Sequence, residues 1–474
     1  MTVTTNHSTP SSVRERLSID IEYLRSKLQG DLLQPGDEGY DEARAIWNGM
    51  IDRRPAIIVL PESTNDVAHA VTFAREHSLR LSVRGCGHNI AGTALAEEGL
   101  TISFARMKNV SVDVANARVT VQPGANWGDV DLATEQHGLV VPGGIVSTTG
   151  VAGFTLGGGF GWLTRKFGYT SDSLISATVV TADGQIRTAS AGSEPDLFWG
   201  IRGGGSNFGV VSEFEFQAYP LGPDVAAGLV LWPMDQASDI IELFRRVTAE
   251  APVELCYVLV MRVAPVAPFL PEEVHGKPVV GIAALYGGDI DEGLRLMAPV
   301  KTHGTPLVDT IKAKPFKEHQ AFLDGGQPYG RRYYWKSVYL DAFTDGAKDA
   351  LLQHGTAFSS PLSSVLLPHL GGNARLDDAP GSVSNRGAEF LVNYQASWED
   401  PTQDDTHIAW AKTNFEAMHP HASGQYVNFM TEDEVRDPNR PAYSSEIQAR
   451  LAQVKRAYDP GNVFNLNKNI EPAE

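Results

Sequence analysis

Cysteine is nearly missing from this chain: Cys86 and Cys256 are the only two in 474 residues. Two thiols so far apart exclude a disulfide framework and a thiolate metal cluster. Long apolar runs are missing as well. No stretch approaches the roughly 18 apolar residues that a bilayer-spanning helix needs. The opening segment MTVTTNHSTPSSVRERL has neither a basic start nor an apolar middle, so it does not read as a secretion signal. The expected location is the cytoplasm. Basic residues are outnumbered, and the formal net charge is -18. That balance argues against nucleic acid or an anionic membrane as the main partner, because their phosphates would be repelled. No Gly-Lys-Ser/Thr phosphate loop, GxGxxG fingerprint, GxSxG elbow or HExxH pair occurs. His419 and His421 stand two apart without further ligands, so no metal is expected.

What is present is ordinary for a globular enzyme: 42% hydrophobic and 20% charged residues. The length predicts two or three core-forming units. Residues 1–12 are polar and rich in Ser and Thr, and are expected to be disordered. The run PAIIVL (55–60) reads as a buried strand. Ser63 and Asp66 form a loose capping box for a helix carrying Val67, Ala70, Val71 and Ala74. LSVR (81–84) reads as the next strand. Further strands are predicted at 118–122, 178–182 and 213–219, the last with Phe214 and Phe216 on one face. Beyond about residue 225 glycine thins. Strands at 256–263, 279–285 and 389–394 and helices at 405–419 and 443–457 suggest a second α+β unit.

Glycine is concentrated between residues 85 and 209, and three segments there bear on function. Arg84-Gly85-Cys86-Gly87-His88-Asn89 follows a predicted strand. Its glycines leave N–H groups free to face an anion and its histidine at close range to a cofactor, or it is a solvated turn. Pro142, Gly143, Gly150, Gly153, Gly158, Gly159 and Gly161 bring backbone close to something flat or phosphorylated, or form a connection without a ligand. Gly203 to Val211 is a tight turn into a strand. Asn462, Asn465, Asn467 and Asn469 could cap, turn or touch a cofactor.

Taken in order, RRPAIIVLPEST, VRGCGHNIAG, GGGFGWLTRKFG, DLFWGIRGGGSNFGVVSEFEF and YDPGNVFNLNKNI resemble the berberine-bridge-enzyme-like branch of the FAD-linked oxidases, within the vanillyl-alcohol-oxidase (PCMH-type) fold. YDEARAIWNGMIDRRPA and QYVNFM are similar to the bacterial subgroup that includes 6-hydroxynicotine oxidase and the enterocin-pathway flavoenzyme. The resemblance implies an α+β fold: an FAD-binding domain over 1–221, a substrate domain over 222–435 whose antiparallel sheet covers the flavin, and a segment 436–474 that completes the FAD domain. It implies FAD held by Arg84 to Asn89, Pro142, Gly143, Thr148, Thr149, Gly150, Gly153, Gly158, Gly159, Gly161, Gly209, Val211, Asn465 and Asn467. It implies one covalent 8α-histidyl link at His88. Relatives with a second link use a cysteine four residues before the glycine matched by Gly150. That position is Val146 here, so a single link is expected. Phe154 stands where several relatives carry His.

The implied reaction is hydride transfer from a small alcohol, amine or secondary metabolite to flavin N5, with O2 then reduced to H2O2. A small residue at Thr149 leaves room for oxygen. Tyr426 matches the family's YxNY tyrosine and is the first candidate base, with Tyr394 the second; either could instead simply pack. A dehydrogenase with another electron acceptor, a flavin carrier without turnover, and a cyclising or rearranging enzyme of natural-product biosynthesis are the rival readings. The expected partners are substrate and O2, and the expected state is a monomer or homodimer.

Overall fold

A computed structural model describes residues 20–267, 270–376, 380–437 and 441–474. Residues 1–12, expected to be disordered, lie outside the described residues. The first unit grows from Ile57–Leu60, a strand buried along its whole length. Ser63 caps the helix Thr64–Glu76, its hydroxyl accepting the Asp66 N–H at 3.2 Å. Val67, Ala70, Val71 and Ala74 form the buried stripe of that helix. In the sheet, Leu100–Ser103 lies between Ile57–Leu60 and Leu81–Arg84 and runs parallel to both. Gly85 to Asn89 therefore leaves the sheet at the carboxyl end of a parallel strand.

A second sheet of five strands is antiparallel. Its central strand Val210–Gln217 buries Phe214 and Phe216 and exposes Glu213, as a period of two requires. The helix Ser445–Tyr458 docks on the same core through Leu451 and Val454. Fully buried Lys455 fixes the tail there, its Nζ donating to the Asn207 and Phe464 carbonyls and to Asp459. Three bonds compensate the ammonium for lost water.

The largest sheet has eight strands. Asp224–Pro233, Pro278–Tyr286, Leu255–Val263, Ser364–Pro368, Phe390–Trp398 and Arg332–Leu340 follow one another across it, all antiparallel. One face packs on the helices Ala237–Ala249, Asp345–His354 and Asp404–Met418 through Ile240, Phe244, Leu351, Phe415 and Met418. The other face, carrying Leu229, Val258, Val260 and Leu366, turns to the first half of the chain. The strands read as continuous apolar runs because both faces are covered. The fold is α+β, with the three long helices on one side of this sheet and a cavity on the other. Among the described residues, no helix is long and apolar enough to cross a membrane.

Candidate active site

The cavity measures ≈ 670 Å³ and lies between the glycine-rich segments and the face of the eight-stranded sheet opposite the long helices. Ligand and cofactor sites span about 300–1,000 Å³. His88 lines it. Its imidazole stacks on Trp47 with ring centroids 4.2 Å apart, and the same indole stacks on Tyr333 at 3.7 Å. The Trp47 N–H donates to the Gly87 carbonyl at 2.9 Å, joining the support to the loop. Stacking thus orients the histidine, while its Nε2 is buried without a hydrogen-bond partner. Burial pushes the imidazole down to about 4. It is therefore neutral at neutral pH and keeps a nitrogen lone pair.

Gly85, Cys86, Gly87 and Asn89 line the cavity beside His88. Arg84 does not: its guanidinium donates to Ser103 Oγ and the Ala45 carbonyl, bracing the segment that carries Trp47. Thr149, Gly150 and Gly153 line the facing loop. A Cβ at Gly150 would sit 2.5 Å from that of Cys86, so only glycine lets these segments touch. The Thr149 N–H donates to the Val146 carbonyl and its own carbonyl accepts from Trp127, so the loop is held at both ends. Val146 and Phe154 also line the cavity.

The outer glycines bind chain to chain. Pro142, Gly143, Thr148, Gly158, Gly159 and Gly161 are not among the lining residues. A Cβ at Gly161 would meet the Gly143 carbonyl oxygen at 2.1 Å, and Pro142 accepts the Thr170 hydroxyl. Gly209 packs on Val179 and Val180, while Val211 reaches the cavity. Near the tail, Asn467 accepts from Thr93 Oγ1 at 2.9 Å and donates to Ser206. Asn467, Asn207 and Lys468 line that end of the cavity, whereas exposed Asn465 only bonds the Asn462 carbonyl.

The two tyrosines require correction as cavity residues. Tyr394 stands on the far face of its strand, in the core with Phe415 and Met418, edge-on to Trp410. The period of two puts its neighbour Gln395 on the cavity side instead. Tyr426 is buried behind the wall. Its hydroxyl accepts from the Gly159 N–H at 3.1 Å and from Asn428 Nδ2 at 2.9 Å, and its ring packs on Phe160, Phe429 and Tyr339. Burial raises both phenols well above their ordinary range. Neither tyrosine is among the residues that line the cavity.

Residues 55–190 match the family model for an FAD binding domain, and residues 425–471 match the one described as berberine and berberine like. Over 454 residues the chain is 31% identical to an FAD-linked oxidoreductase of Dictyostelium discoideum, spanning 94% of this chain and 96% of that one. The chain belongs to the berberine-bridge-enzyme-like FAD-linked oxidoreductases. It is also similar to (R)-6-hydroxynicotine oxidase of Paenarthrobacter nicotinovorans, at 28% identity over 468 residues, covering 94% of this chain and 97% of that one. The crystal structure of 6-hydroxy-D-nicotine oxidase from Arthrobacter nicotinovorans superposes with a TM-score of 0.83 at 28% identity, covering 94% and 98% of the two chains.

The cavity suits the family's cofactor. Its described lining contains no Asp or Glu although the whole chain carries -18, and it includes Lys468 beside the Gly204 to Asn207 turn. Such a lining accepts a pyrophosphate without like-charge repulsion. The unpartnered His88 nitrogen lies along the same wall.

The sequence reading missed the sheet's contribution. Val279, Arg262, Ser364, Gln395 and Trp335 occupy one register row across five neighbouring strands, and all five line the cavity. It also missed Trp47, quoted within AIWNGM but not singled out. The strand predicted at 389–394 stops one residue short of Gln395.

Proposed function

We propose that this protein oxidises a small alcohol, amine or secondary metabolite, with FAD tethered at His88 and O2 as the electron acceptor. The observation that carries the proposal is the His88 imidazole: clamped by Trp47, kept neutral by burial, and unpartnered at Nε2 on the cavity wall. Nε2 is then the attachment atom for the 8α-carbon. Val146 offers no nucleophile for a second bond. Bound FAD supplies the two-electron acceptor.

The chain's own residues orient the substrate and exclude water. Leu229, Val260 and Leu366 give the sheet side an apolar floor, and the register row sets polar groups within it. Positioning of this kind is a large share of what a flavin site asks of its protein. Thr149, whose side chain is small, leaves space for oxygen on the opposite loop.

The test is acid precipitation of purified protein followed by its visible spectrum. Flavin bands that stay with the pellet, and that move to the supernatant in His88→Ala, are expected. Flavin released from both proteins would remove the tether. Peroxide equal to product formed supports the oxidase; turnover that needs a dye or quinone would assign a dehydrogenase instead.

A further inference from the structure

The register row has an electrostatic character that the oxidase reading does not require. Arg262 stands on the cavity face between Val279 and Ser364. Its Nε donates to the Val263 carbonyl at 3.1 Å, and neither Nη1 nor Nη2 meets a protein acceptor among the described residues. Arg331 lies near enough to disfavour its charge further. The carboxylate nearest Arg331 is Glu399, 3.9 Å away and 76% exposed, where solvent screens it. No described Asp or Glu lines the cavity.

The neighbours are short of acceptors too. Gln395 Oε1 already accepts from Ser364 Oγ at 3.0 Å and from Gln327 Nε2 at 3.2 Å, which leaves the Gln395 amide N–H groups free. The Trp335 indole N–H is buried without a partner. Gln327 Oε1 is an unpartnered acceptor in the same wall, outnumbered by these donors. A guanidinium that faces a cavity without a counter-charge favours an anion there, and a carboxylate matches its two-pronged geometry.

We propose that the substrate is a small organic carboxylate, its charged group bound by Arg262 with Gln395 and Trp335 beside it. This deepens the oxidase reading and rests on it for the site's purpose. Lys468, bonded to the Glu434 and Asp437 carbonyls at the tail end of the lining, is separate from this cluster. Arg262 is thus available for a second anion beyond the cofactor's pyrophosphate. An anionic substrate also suits a wall with no carboxylate: binding proceeds without repulsion, and discrimination against neutral analogues follows from the unpaired charge.

The experiment titrates purified holoenzyme with benzoate and phenylacetate, and in parallel with benzamide and phenylacetamide. Two signals are read: perturbation of the flavin spectrum, and quenching of tryptophan fluorescence, to which Trp335 and Trp47 contribute. The carboxylates are expected to bind at least tenfold more tightly than their amides. Arg262→Gln is expected to erase that preference with flavin content unchanged, and Arg262→Lys to restore part of it. Equal affinity of acids and amides overturns the proposal, as does binding by neither carboxylate or an unaltered preference in Arg262→Gln. The wild-type comparison stands even if the variants do not fold. Protein without flavin whose fluorescence still discriminates acids from amides would keep the anion site and sink the oxidase. Flavin with no discrimination would do the reverse.

Discussion

On one side of the cavity, Gly85, Gly150 and Gly153 bring main chain to the surface beside a histidine braced by Trp47. On the other, Arg262, Ser364, Gln395 and Trp335 present side chains from successive strands of one sheet. The first wall is shaped by what its residues lack, the second by what each carries. A backbone wall suits a ligand common to a whole family, because main-chain groups are the same whatever the sequence. A side-chain wall can be rewritten one residue at a time, which is how substrate choice diverges on a shared fold.

The sharpest break of this contrast uses two adjacent residues. Tyr394 and Gln395 sit on opposite faces of Phe390–Trp398. Tyr394→Ala should cost about 3–5 kcal/mol of stability, as for other large aromatics cut from a core. Tyr394→Phe should be nearly silent in both stability and turnover, because the hydroxyl has no partner. Gln395→Leu should lower the melting temperature less than Tyr394→Ala does, through the loss of the Ser364 and Gln327 hydrogen bonds, while lowering kcat/KM at least tenfold. Thermal melts and steady-state kinetics on the three variants decide it. Lost turnover in Tyr394→Phe would return that tyrosine to the site.

The same pair explains what the sequence could and could not disclose. The first wall was legible because glycines at those positions leave little else to mean: Gly150 faces Cys86 across a gap too small for a Cβ. The strand near 390 was legible as a strand. Which of its faces met the cavity was not, since a shift of one residue exchanges every side chain between faces. The deciding information lies in Trp410 and Phe415, which pack against Tyr394 from a separate helix. Tyr426 was found by its motif, yet its hydroxyl is turned to the Gly159 N–H rather than the cavity. Arg262 ended what looked like an apolar run, and only the row that joins it to Ser364 and Gln395 gives it a role. Trp47 acquires its meaning from Tyr333, distant in sequence.

On the backbone wall the matching break is Gly150→Ala. The added methyl would meet Cys86 Cβ at 2.5 Å and its amide nitrogen at 3.1 Å. Overpacking of this sort costs about 1–3 kcal/mol, and here the strain falls on the segment that carries His88. A lower melting temperature and a reduced ratio of flavin to protein absorbance are expected together. Cys86→Gly in the same chain should recover part of both, since it removes the opposing atom. Full flavin loading with an unchanged melt would mean that the wall does not depend on this close approach.

The smallest expected effect probes the ground behind that wall. Asp131, on the helix Trp127–Glu135, is buried with neither carboxylate oxygen partnered. Burial, with Glu135 and Asp324 adding like charge, raises its pKa well above the ordinary carboxylate range. The sign follows from proton linkage. A carboxyl that protonates more readily in the folded state favours folding at low pH, and that advantage fades as pH rises through the folded value. Asp131→Asn removes the titration and keeps the shape. It should therefore match the wild type near pH 4 and become more stable than it by about 1 kcal/mol toward neutrality. Asp324 also accepts from the Ser147 N–H and hydroxyl, which ties it to the loop bearing Thr149. A stabilised variant with unaltered reoxidation by oxygen would separate this buried charge from the chemistry. Slower reoxidation would mean that the charge behind the backbone wall helps set the loop in front of it.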